Sequence, residues 1–183
     1  MLAPRKKLWS SPKEVIDAAI ALLELTDEDI CCDIGCGDGR FLFRACELTA
    51  VSQVIGIEVD DVRCEKLAQQ AQTVPELSSR CNIICGNALD QDFSRVTCFF
   101  LYLIPHGLRV IYRHVLRNIV NRRVRVVTYM SPLPSEFVDP VQIIKVPTSG
   151  HTDAEWPLYL YEIYNKSVPE STDDVSSIAE AAV

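Results

Sequence analysis

Asp33, Gly35, Gly37, Gly39 and Glu58 are the residues whose types and spacing can do chemistry. Asp33 follows the apolar run Ile30-Cys31-Cys32, and three glycines come after it at every second position, as Gly35-Cys36-Gly37-Asp38-Gly39-Arg40. Glycine lets the backbone turn sharply and lets a ligand come close, because no Cβ stands in the way. The N–H groups of such a loop, and of a helix that starts from it, can bind ligand oxygens. A second apolar run, Val54-Ile55-Gly56-Ile57, ends in Glu58. That carboxylate lies about 20 residues past the loop, the distance at which an acid grips ribose hydroxyls in doubly wound folds. The chemistry is therefore recognition of a nucleoside-bearing ligand, and no Ser/His/Asp arrangement is visible beside it.

These residues need strands that end at one edge of a sheet. An apolar run, a glycine loop and then the pattern Phe41, Leu42, Ala45, Cys46, Leu48 read as strand, tight turn and helix N-terminus. Before it, Ser11 is expected to cap a helix with Pro12 at its first position and Glu14 three residues beyond the cap. That helix buries Val15, Ile16, Ala19, Ile20, Leu22 and Leu23. Strand and helix then alternate. Strands are expected over Gln53–Glu58, Cys81–Cys85, Thr97–Leu103 and Arg123–Tyr129, with helices over Asp61–Gln72 and His106–Val120. This rhythm implies an α/β fold: a Rossmann-like doubly wound sheet with helices on both faces. Val141–Val146 and Leu158–Tyr164 are two further strands with only a loop between them, hence a C-terminal antiparallel hairpin. Five parallel strands plus this hairpin make a seven-stranded sheet.

The loop does not fit a dinucleotide site, which asks for G-x-G-x-x-G; Arg40 stands where the third glycine belongs. D-I-G-C-G-D-G-R followed by Glu58 resembles instead motif I and its partner acid in the class I S-adenosylmethionine-dependent methyltransferases. The seven-stranded plan agrees. L-Y-L-I-P at 101–105, W-S-S-P at 9–12 and M-S-P-L-P at 130–134 resemble a narrower group, the small FAM173-like protein-lysine methyltransferases. The resemblance covers about Trp9 to Tyr164 and implies S-adenosyl-L-methionine as cofactor. It implies that Gly35, Cys36, Gly37 and Gly39 hold the methionine part, with Asp33 orienting the loop and amino group. Glu58 would then hold the ribose, and Asn87 with Ala88 the adenine edge. The family usually carries Asp where Asn87 stands; the amide oxygen is still an acceptor. Tyr102 and Pro105 are the expected methyl-transfer mouth, with Phe100, Tyr129, Trp156 and Tyr159 as further aromatic candidates. A protein lysine is the acceptor that the resemblance implies. RNA or a small molecule is the alternative acceptor, and a cofactor-binding protein without transfer activity is the alternative class.

The whole chain sets the outer bounds. Its 183 residues fit one domain with a real core. A net charge of −7 argues against wholesale nucleic-acid binding. One surface runs the other way: Arg109, Arg113 and Arg117 recur at helical spacing, and no Asp or Glu occurs from Phe93 through Ser135. That face is a candidate docking surface for RNA or an acidic protein. No apolar run is long enough for a membrane span, so no membrane partner is expected. Eight cysteines with no C-x-x-C pair, and three histidines away from ligand spacing, imply structural thiols and no metal. Thiols in core positions fit an intracellular, cytoplasmic setting, with a mitochondrial address left open. The expected organisation is a flexible N-terminus over 1–8, a methyltransferase domain over 9–166 and a disordered acidic tail over 167–183. The oligomeric state is not legible.

Overall fold

Strands buried on both faces read as continuous apolar runs, and those runs form the centre of the sheet. The computed structural model describes residues 9–73, 79–149 and 151–166; the expected flexible N-terminus and acidic tail lie outside them. β1 (Ile30–Ile34) pairs in parallel with β2 (Gln53–Glu58) on one side and with β4 (Cys98–Leu101) on the other. β3 (Cys81–Cys85) extends the sheet beyond β2, and β5 (Arg123–Tyr129) extends it beyond β4. The hairpin of β6 (Gln142–Thr148) and β7 (His151–Tyr164) completes the order β3-β2-β1-β4-β5-β7-β6. β7 runs antiparallel to both β5 and β6. The chain winds outward in both directions from β1, so the clefts open at the carboxyl ends of β1, β2 and β4.

The seven-stranded expectation holds, with local differences. β7 starts at His151, earlier than Leu158, because 151–157 lengthens the pairing with β6 although His, Asp, Glu and Pro interrupt its apolar pattern. The first helix, α1 (Lys13–Leu23), has Pro12 at its cap position and no side-chain cap bond. Ser11 therefore does not cap it; its carbonyl accepts Arg40 instead, at 3.0 Å. The helix expected to reach Val120 ends at His114. A 3-10 turn over Leu116–Asn118 follows, and Asn118 Nδ2 donates back to the His114 carbonyl.

Two helical layers flank the sheet unequally. α1, α2 (Arg40–Leu48) and α3 (Asp61–Gln72) share one apolar core, which holds Val15, Ile20, Phe41, Leu42 and Leu67. The other core takes its helical side chains from α4 (Pro105–His114) and the following turn, with Leu108, Ile111 and Leu116 buried. The cysteines also divide. Six are free thiols, but Cys64 on α3 and Cys85 at the end of β3 are bonded, with their Cα atoms 5.8 Å apart. The expectation of structural thiols alone fails for this pair, which the β2–α3–β3 crossover brings together across 21 residues of sequence.

At the opposite end of the sheet from the clefts, Asp29 ties the turn before β1 to the residue before β4 and to β5. Its carboxylate accepts from Thr26 N at 2.8 Å, Thr97 Oγ1 at 2.7 Å and Arg125 Nη2 at 2.5 Å. Its carbonyl accepts from Ser52 N at 3.1 Å. Burial works to raise the Asp29 pKa, but Arg125 and the Thr donors hold it well below the usual carboxylate range. Its stabilisation is present above the unfolded carboxylate pKa of about 3.9 and is lost as pH falls through the depressed folded value. Asp29→Ala leaves Arg125 without its buried partner. Urea denaturation at pH 7 is expected to show a loss of about 3 kcal/mol. A loss under about 0.5 kcal/mol, the ordinary surface range, would refute the hub.

Candidate active site

The glycine loop turns because its glycines take backbone angles that other residues avoid. Gly35, Gly37 and Gly39 have φ of 79°, 60° and 73°. At Gly39 a Cβ would lie 2.4 Å from Leu67 Cδ2, so a side chain there would also have to displace Leu67 of α3. Four of the loop's N–H groups are already engaged by the protein itself. Gly35 N and Cys36 N donate to the Ile57 carbonyl at 2.8 and 3.1 Å, and Gly39 N donates to the Cys36 carbonyl at 2.9 Å.

Gly37 N donates to Glu58 Oε2 at 3.0 Å. The other oxygen, Oε1, accepts from Val59 N at 2.9 Å and Asp60 N at 3.1 Å. Arg63 Nη1 stands 3.8 Å from Oε1. Glu58 thus fixes the loop to the β2–α3 turn before any ligand arrives. A carboxylate has roughly four lone-pair directions. Three are taken, and the one left on Oε2 is free for a ribose hydroxyl.

Two clefts meet at Gly35. The larger, about 180 Å³, runs between the ends of β1, β2 and β3 and α4. Glu58, Gly86, Asn87 and Ala88 line one side, and Leu103 and Gly107 the other. Its mostly apolar walls suit a flat aromatic base, with Glu58 at the ribose position. Asn87 lies in it as expected, but its Oδ1 already accepts Leu89 N at 3.2 Å and caps the short turn Ala88–Asp90. One amide lone pair remains for a base amino group.

The second cleft is about 30 Å³ and lies on the other side of the loop. Asp33, Cys36 and Gly37 line it together with Tyr102, Phe100 and Trp9. Asp33 is buried and accepts no hydrogen bond from any described residue. Burial, then the nearby Glu58 and Asp38 carboxylates, pushes its pKa well up. Such a group is suited to an ammonium, which offsets the burial of its charge. The residues present therefore fit S-adenosylmethionine, with adenosine in the larger cleft and the amino acid end against Asp33. Burial raises the Tyr102 phenol, and Tyr129, whose ring centroid is 4.5 Å from that of Tyr102, is pushed up to about 12. Both stay neutral at physiological pH. Burial likewise pushes the Cys36 thiol up, so it is no nucleophile.

The remaining expected residues separate. Pro105 begins α4 and lines a different depression, with His106, Arg109 and Pro132, not the cleft that holds Tyr102. Trp156 donates its indole N–H to Thr148 Oγ1 at 3.1 Å, and Tyr159 packs in the α4-side core; neither lines the Tyr102 cleft. Phe100 lines that cleft and also stacks on Phe41 in the core, at 4.3 Å. The arginine face is largely engaged. Arg109 pairs with Glu136, and Arg109 and Arg113 lie 5.7 and 5.4 Å from the Phe137 ring centre. Arg122 donates to the Phe93 and Val96 carbonyls, Arg123 pairs with Glu162, and Arg125 pairs with Asp29. Sequence reasoning missed Trp9, Leu103 and Gly107 as cleft walls. The W-S-S-P and L-Y-L-I-P segments were the available signals.

Two outcomes are expected. Asp33 has a raised folded pKa, so its stability contribution is full below the unfolded pKa of about 3.9 and is lost as pH rises through the folded value. Asp33→Asn is therefore expected to be more stable than the parent at pH 7 in thermal melts, with the gap closing towards pH 4. Calorimetry should show that it binds S-adenosylhomocysteine at least tenfold more weakly, the loss expected for a hydrogen bond to a charged group worth about 1.5–3 kcal/mol. An equal melting temperature at all pH values would refute the burial argument. For Asn87, Asp keeps both acceptor functions and Leu keeps neither. Calorimetry should find binding preserved in Asn87→Asp and weakened in Asn87→Leu; equal affinities would reduce the residue to a turn former.

A family model described as "Putative methyltransferase" matches residues 27–119, from the start of β1 to the end of α4 and its turn. A protein-lysine N-methyltransferase of Saccharolobus islandicus is 29% identical over 97 residues, which are 52% of this chain and 59% of that relative. The match thus spans little more than half of the relative's length. Among solved structures, an RNA methyltransferase from Salinibacter ruber in complex with S-adenosyl-L-homocysteine superposes with a TM-score of 0.72. It is 24% identical, over 91% of this chain and 100% of that one. A precorrin-6y C5,15-methyltransferase from Geobacter metallireducens gives 0.62 at 17% identity, over 90% of this chain and 94% of that one. These likenesses are of fold. The chain belongs to this putative methyltransferase family and has the fold of methyltransferases solved with S-adenosyl-L-homocysteine.

Proposed function

We propose that this enzyme transfers methyl from S-adenosylmethionine to a lysine side chain of another protein. The observation that carries the reading is the 30 Å³ cleft walled by Tyr102, Phe100 and Trp9 beside Asp33. Aromatic walls of this kind suit a slim aliphatic stem that ends in an amine. A lysine arrives as an ammonium with a pKa of about 10.4. The aromatic walls disfavour that charge, and the amine enters after giving its proton to water. The neutral Tyr102 hydroxyl is an acceptor for the amine N–H and no base. The bound cofactor supplies an electrophilic methyl, so that positioning of a neutral nitrogen is what the protein must add.

Charge supports the same reading. A net charge of −7, with the arginines from Arg109 to Arg125 mostly engaged internally, draws in basic protein segments and repels a polyanion. The name of the Saccharolobus relative agrees. The second reading, RNA, draws on the Salinibacter neighbour and on the exposed Arg113 and Arg117.

The test uses purified protein, cofactor labelled in the methyl group and a cell lysate. Label is expected to survive ribonuclease, to disappear with protease, and to be lost when one lysine of the recovered target is changed to arginine. Label removed by ribonuclease would replace lysine by RNA, and absence of any label would end the transfer reading. Tyr102→Ala should lower transfer at least tenfold while calorimetry finds S-adenosylhomocysteine binding little changed, as expected of a group that acts on the acceptor.

A further inference from the structure

The segment Trp9-Ser10-Ser11 lies across the tip of the glycine loop and roofs the small cleft. Ser10 Oγ donates to Asp38 Oδ2 at 3.0 Å. Arg40, the first residue of α2, donates Nη1 to the Ser11 carbonyl at 3.0 Å. The same guanidinium donates Nε to Asp38 Oδ1 at 3.0 Å and Nη2 to Asp38 Oδ2 at 2.6 Å. One side chain therefore joins the strap to the loop. Ser11 is buried under this arrangement, while Trp9 stands 60% exposed at the cleft mouth. Burial works to raise the Asp38 pKa, but Arg40 holds it below the usual carboxylate range.

The pair has no evident role in the core. Its side chains are 45% and 36% exposed, and exposed ion pairs stabilise a fold little. What the contacts do is hold the strap at the cleft that Asp33 and Tyr102 also line. We infer that Arg40 is a positioning residue that latches Trp9–Ser11 over the methionine end of the cofactor cleft, and that Trp9 is a specificity-determining wall of the acceptor entrance. This rests on the reading of the small cleft as the transfer end. It goes beyond that reading by giving the entrance a removable side.

Trp9 and Trp156 are the two tryptophans of the chain, so Trp156→Phe leaves Trp9 as sole fluorophore. Its quenching by acrylamide is measured with and without saturating S-adenosylhomocysteine, whose binding is followed separately by calorimetry. Bound ligand is expected to protect Trp9. Adding Arg40→Ala should remove most of that protection, because losing the latch shifts the strap towards its open form by about fivefold, the upper range for an exposed charged contact. Arg40→Lys, which reaches Asp38 or the Ser11 carbonyl but lacks the fork to hold both, should fall between. An unchanged thermal melt separates loss of the latch from loss of the fold, and Ser10→Ala should shift quenching in the same direction. Binding heat with Trp9 quenching indifferent to both ligand and Arg40→Ala would overturn the strap alone. No binding heat in the parent would overturn the strap together with the cofactor site. An RNA acceptor, or none, would leave the quenching result standing and remove only the lysine reading.

Discussion

The carboxylate of Glu58 is the contact on which the site depends. It sits at the end of β2, next to the strand that carries the loop, and takes N–H groups from both the loop and the following turn. A glycine-rich turn has a large conformational entropy to lose, and a ligand that had to order it would bind more weakly for that reason. Glu58 orders it in advance. The β1–β2 register supports this, since Ile34 lies opposite Ile57, whose carbonyl accepts the first two N–H groups of the loop. The loop is thus held by one strand's backbone and one side chain of that same strand. The arrangement also divides labour. Four loop N–H groups are structural, and the side chains of Asp33, Asn87 and the free side of Glu58 line the clefts.

Two ends of the sheet serve different purposes. At the amino ends of the strands, Asp29 ties the α1–β1 turn to the residue before β4 and to β5 through Thr26, Thr97 and Arg125. At the carboxyl ends the strands stop short of each other, and the gap becomes two clefts either side of Gly35. The same residue type has opposite character in the two places. Asp29 is paired and its pKa is held low, whereas burial pushes the pKa of Asp33, four residues later, well up. Burial of a carboxylate is unfavourable for stability, and Asp33 keeps its face on the small cleft, where a cationic group would offset that cost.

What was legible in the sequence follows from where each signal is written. The strands, their parallel order and the hairpin come from local apolar runs and turn residues, which carry their own geometry. Asp33, the glycines and Glu58 are legible because the loop and its acid recur at fixed spacing. Four things were not. Asp29 reads as a helix-ending acid in Thr26-Asp27-Glu28-Asp29, and its partners Thr97 and Arg125 are brought to it only by the sheet. The Cys64–Cys85 pair depends on how α3 packs over β3. Tyr102 and Pro105 stand in one short segment, yet the chain turns between them at the start of α4, and they face different depressions. A row of arginines looks basic in sequence, because the carbonyls and carboxylates that engage it come from elsewhere in the chain.

The hairpin has a consequence for how this sheet is made during synthesis. β7 lies inside the sheet, between β5 and β6, although it is later in the chain than both. Until β7 has left the ribosome, β5 presents an open backbone edge, and β6 has no strand to join. The nascent chain can therefore assemble β1 to β5 in order, but must wait with an adhesive edge exposed. A pause in translation between β5 and β7 lengthens that exposure, and a chaperone that covers strand edges has its natural moment there.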